Sequence, residues 1–143
     1  MLRVFVSWCD DGADVAAREF VARLREAGAE VETSPAPGGS IDDDPKWENW
    51  YGRGLPAAVA RADAFVAAVT SYYYSATWMA VEFDAAFKGH NERGRPLLFV
   101  LKLIPEKTAA GFQQYETAAT KLPADPTAAA AHLVAAVRQL PPS

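Results

Sequence analysis

Apolar and polar positions along this chain follow two periods, one of about two residues and one of about 3.6. Arg3-Val-Phe-Val-Ser7 is short and β-branched and predicts a first strand. From Val15 to Ala27 the pattern turns helical, with Phe20, Val21 and Leu24 on one face, Asp14 as N-cap and Gly28 as the stop. Glu30 to Thr33 reads as a second strand and Leu55 to Ala62 as a short helix. Asp63 precedes a third strand, an apolar run from Ala64 that ends in Thr70-Ser71. A polar-aromatic turn, Tyr72-Tyr-Tyr-Ser75, leads into a helix with Met79, Phe83, Ala86 and Phe87 at core spacing, expected to stop at Gly89. Pro96 to Ile104 is a strongly apolar fourth strand. Pro105 to Lys121 is ambiguous, compatible with a helix and a short edge strand near Tyr115. Pro126 to Leu140 closes the chain as a helix, with Leu133, Val134, Val137 and Leu140 in register and Pro141-Pro142 beyond.

Strands alternating with helices predict an α/β fold with a parallel sheet and helices on both faces. A chain of 143 residues holds one core, so residues 1–143 are expected to form a single domain. At this size the flavodoxin-like, doubly wound strand order 2-1-3-4-5 is the natural choice. It puts the topological switch between strands 1 and 3, where ligands bind beyond the carboxyl ends. Those ends are Ser7-Trp8-Cys9-Asp10-Asp11 and Thr70-Ser71.

Composition narrows the function classes. Half the residues are hydrophobic, 22% are charged and the net charge is −4, so no basic footprint suggests nucleic acid or a membrane surface. No apolar run reaches transmembrane length and no signal-peptide pattern opens the chain, so a cytoplasmic location is expected. Cys9 is the only cysteine, and His90 and His132 lack ligand spacing, so no metal site is expected. Cys9 reads as a small apolar residue, with no basic neighbour to activate its thiol. The 34–45 stretch is dense in turn formers and acids, with Asp42, Asp43 and Asp44 as a solvated run. The whole 35–51 connection is long, and it is expected to be mobile when empty and to order around substrate or a neighbouring subunit.

The most informative residue is Glu82. It lies one helical turn after Trp78, so the two are expected to share a face distinct from the core face. A tryptophan-backed carboxylate at the switch point suits a sugar-binding acid. At base rate a helix glutamate is a solvated residue, and Trp78 suits a core cap about as well as a site wall.

These residues resemble a Toll/interleukin receptor (TIR) domain over nearly the whole chain. The matching pieces are Val4-Phe-Val-Ser-Trp8, Ala27-Gly-Ala-Glu-Val31, the Pro/Gly-rich loop at 35–45 and Ala62-Asp-Ala-Phe-Val66. The most specific is the series Ser71, Ser75, Trp78, Glu82 and Phe83, in that order after a strand. Two departures stand out. Met79 occupies a position where cysteine is common, and acidic residues follow the first strand where a basic one often does, leaving Lys46 or Arg53 to supply a phosphate cation.

The resemblance implies an NAD-cleaving enzyme of the stand-alone bacterial type, with NAD as substrate rather than cofactor. Such an enzyme is a glycohydrolase or an ADP-ribosyl cyclase, whose cyclic ADP-ribose product would signal in antiphage or immune defence. Glu82 then maps to the catalytic glutamate. The substrate-binding candidates are Ser7, Trp8, Cys9, Asp10, Trp47, Trp50, Ser71, Ser75 and Trp78. Self-association or a separate TIR or effector protein is the expected partner, because the chain leaves no residues for a sensor or effector domain of its own. Two other classes remain open: a non-enzymatic TIR–TIR interaction module, and a nucleoside deoxyribosyltransferase-like enzyme with a similar core and a helix glutamate.

Overall fold

The computed structural model describes residues 1–8, 15–33, 54–70, 73, 77–104 and 109–139. Strands β1 (Arg3–Ser7), β2 (Glu30–Thr33), β3 (Ala64–Val69), β4 (Leu97–Lys102) and β5 (Thr120–Lys121) form one sheet in the order 2-1-3-4-5. Every pairing is parallel. This is the doubly wound α/β arrangement seen in flavodoxin-like folds. The helices are α1 (Val15–Glu26), α2 (Leu55–Arg61), α3 (Thr77–Arg93), α4 (Gln113–Ala118) and α5 (Pro126–Arg138). No helix among the described residues is long and apolar enough to cross a membrane.

Side-chain alternation divides the core into two layers. Val4, Val6, Val66, Phe99 and Leu101 face a layer made with α1 and α5. Phe5, Phe65, Ala67, Leu98 and Val100 face a layer made with α2, α3 and α4. All six positions of β3 are buried, as expected for a central parallel strand covered on both faces. In the second layer the rings form a continuous series. Phe5 stacks on Phe65 at 5.4 Å, Phe65 meets Tyr115 edge-on at 6.0 Å, and Phe112 joins Tyr115 to Phe83 at 5.1 and 5.0 Å.

The structure revises two expected boundaries. Helix α3 passes through Gly89 and ends at Arg93, where Gly94 takes φ +75°. Gly89 is buried inside the helix, and a Cβ there would stand 3.2 Å from the Arg95 carbonyl, so its bare backbone admits the returning chain. A helix interior tolerates one glycine at roughly 1 kcal/mol, which packing outweighs here. Tyr115 belongs to α4 rather than to a strand, and the edge strand is two residues long at Thr120–Lys121. Gly28 does end α1 as expected, at φ +92°.

Candidate active site

Among the described residues, the buried polar or charged ones are Ser7, Thr70 and Glu82. Each is 1% exposed or less. Ser7 is the last residue of β1, Thr70 follows β3 directly, and Glu82 stands in the second turn of α3. Strands β1 and β3 are neighbours, with Ser7 in register with Ala67, so the two hydroxyl residues cap adjacent strands at the switch point.

Tyr73, in the connection after β3, lies against the end of β1. The Tyr73 N–H donates to the Thr70 carbonyl at 3.1 Å and closes a turn. The Tyr73 hydroxyl then lies 3.0 Å from Ser7 Oγ, and Ser7 Oγ is 3.7 Å from Met79 Sδ. Either hydroxyl can donate in the Ser7–Tyr73 bond, and the thioether, which only accepts, is a second acceptor within reach of the Ser7 proton. Tyr73 is fully buried and meets Phe112 edge-on at 6.0 Å.

Glu82 sits three residues after Met79, on the adjoining stripe of the same helix. It has no exposed surface and makes a polar or electrostatic contact within the protein. This differs from the expectation of a carboxylate displayed beside the core face. Phe83 is buried as well, so α3 is covered over a wide arc here. A carboxyl taken out of water is costly unless partnered, and that is why such groups cluster where chemistry needs them.

The other expected site residues are distributed unevenly. Trp8 is buried in the α1/α5 layer, across the sheet from α3, because it continues the Val4–Val6 face of β1. Trp78 occupies the first turn of α3. Its side chain, together with Cys9, Asp10, Trp47, Trp50, Ser71 and Ser75, lies outside the described residues, as do the 35–51 connection and the cations Lys46 and Arg53. Sequence reasoning gave Tyr73 no role and placed Met79 only in the core. The available signal was hydroxyl residues ending two otherwise apolar neighbouring strands.

Grooves between α1 and α5 and between α2 and α3 involve none of Ser7, Thr70 or Glu82. What distinguishes the strand ends from either groove is the buried hydroxyls of Ser7 and Thr70. Among the described residues no group of three or more His, Cys, Asp or Glu is placed to hold a metal ion. No protein-family model and no curated protein matches this sequence.

Proposed function

We propose that the chain is a TIR-type enzyme that cleaves NAD at the nicotinamide–ribose bond, with Glu82 as the acting carboxylate. The observation that carries the reading is the burial of Glu82 in the second turn of the helix that follows β3. Nicotinamide departs as a neutral molecule, so the step needs no strong general acid. Positive charge develops on the ribose instead, and a carboxylate shielded from water stabilises it more strongly than an exposed one. Hydrolysis of the resulting cation gives ADP-ribose, and internal capture gives a cyclic isomer. Because Glu82 has no exposed surface, the groups covering it must shift before a ribose reaches it.

NAD is the substrate in this reading, and a second copy or a separate TIR or effector protein is the partner that brings the enzyme to activity. The test is nicotinamide release by the purified chain and by Glu82→Gln. The substitution keeps the shape and removes the charge. The expected loss is at least about a hundredfold, with a native circular dichroism spectrum. A folded variant of undiminished activity removes Glu82 from the chemistry. A folded wild type that releases no nicotinamide at any concentration favours the non-enzymatic interaction module.

A further inference from the structure

We infer that Ser7 and Tyr73 are positioning residues: their buried hydroxyls pin the first turns of α3 to β1 and so fix where Glu82 stands. The chain of contacts is the hydrogen bond between the Tyr73 hydroxyl and Ser7 Oγ at 3.0 Å and the approach of Ser7 Oγ to Met79 Sδ at 3.7 Å. It joins three segments: the end of β1, the turn after β3 and the first turn of α3. Both hydroxyl residues are fully buried, so in this structure the Ser7 hydroxyl is enclosed by protein and turned to Tyr73 and Met79. Met79 and Glu82 are one turn apart on a rigid helix, so the depth at which Met79 seats sets the position of the carboxylate. Apolar packing by Met79, Phe83 and Ala86 holds α3 against the sheet, and the polar contacts add direction to it. Two directional bonds in a dry setting select one seating, because each unmade bond there leaves a polar group without water.

The catalytic half of this inference rests on the reading of Glu82 given above; the clamp itself does not. The chain has two methionines, Met1 and Met79, and Met1 is 90% exposed. Methyl-labelled methionine therefore gives one exposed signal and one buried reporter in a ¹³C NMR spectrum. Tyr73→Phe removes one oxygen and keeps the ring. It is expected to shift the Met79 methyl and leave the Met1 methyl in place. Ser7→Ala should do the same, and the double variant should add little to either single change. In nicotinamide release, both variants should lower kcat by roughly ten- to a hundredfold with KM nearly unchanged, as for a displaced catalytic group.

An unmoved Met79 methyl in folded Tyr73→Phe overturns the clamp. A raised KM with kcat preserved overturns the positioning role and returns Ser7 to substrate contact. Unchanged kinetics with a shifted methyl leaves a clamp that does not govern Glu82 and overturns the catalytic half. An inactive wild type defeats the NAD reading and the catalytic half together, while the methyl spectrum still decides the clamp.

Discussion

Partial burial pushes the Asp84 carboxyl above its ordinary value of 3.8, although part of the side chain faces water. The sign of the consequence is fixed. A carboxyl whose folded pKa is raised binds its proton more tightly in the folded chain. Its penalty is absent below 3.8, where both states are protonated, and appears as pH rises through the folded value. Asp84→Asn is therefore expected to raise the melting temperature slightly at neutral pH, with the gain fading toward pH 3. Melting curves across that range check it, and a gain that persists or grows in acid would contradict the cause. Tyr115 shows the other outcome of burial. Its phenol is held protonated well above the ordinary range by burial, and it donates to the Phe99 carbonyl at 2.6 Å. Glu82 was legible as a candidate but not as a buried one. Helical periodicity sends a charged residue to solvent by default, and it cannot register a helix covered on adjoining stripes at Glu82 and Phe83.

At the scale of elements, local chemistry explains what was legible and what was not. The strands from Arg3 and from Ala64 and the helix from Pro126 carry strong signals: β-branched runs, and an aspartate followed by proline. The Asp125 carboxylate accepts the Ala128 N–H at 2.9 Å, and Pro126 opens the helix where no N–H is needed. Strand β5 is two residues long and exposed, so no alternation exists to read, and its existence depends on pairing with β4. The end of α3 was misread because glycine serves both as a stop and as a point of close approach. At Gly89 the approach of Arg95 decides, while Gly94 with its positive φ is the stop. Asp125→Ala is expected to cost about 1 kcal/mol of stability by exposing an unmatched donor at the helix start. Helix α5 lies across the sheet from α3, so nicotinamide release should be unaffected. Urea unfolding measures the first and a rate assay the second; an unchanged midpoint would mean that solvent replaces the cap without loss.

For the whole molecule, the sheet separates a charged amino edge from the site at its carboxyl edge. The order 2-1-3-4-5 was legible because strand and helix patterns alternate and a chain of this size favours the flavodoxin-like arrangement. The amino edge was not, because its charges are scattered in sequence and only the fold gathers them. Arg3 pairs with Glu30 at 3.5 Å, Arg61 with Glu32, and Arg95 with Asp63 at 2.8 Å. Asp63 also accepts the backbone N–H of Arg3 at 2.9 Å, so one carboxylate ties the starts of β1 and β3 to the segment entering β4. Six residues of β3 separate this belt from Thr70, a distance of roughly 20 Å. Such half-exposed pairs contribute modestly and are weakened by salt. Asp63 is the member that also satisfies a backbone donor, so its loss should be felt most. Asp63→Ala is expected to lower stability by about 1–2 kcal/mol. For a chain of this size that is roughly 3–7 °C in Tm. The difference from wild type should shrink in high salt as the ionic part is screened, leaving the part due to the Arg3 N–H. Nicotinamide kinetics measured well below the melting temperature should be unchanged, since the belt and the strand ends at Ser7 and Thr70 lie at opposite edges of the sheet. An equal Tm at low salt would show that the belt does not hold the strand starts. Altered kcat in the folded variant would show that the amino edge and the site are mechanically coupled, and the separation proposed between frame and chemistry would be wrong.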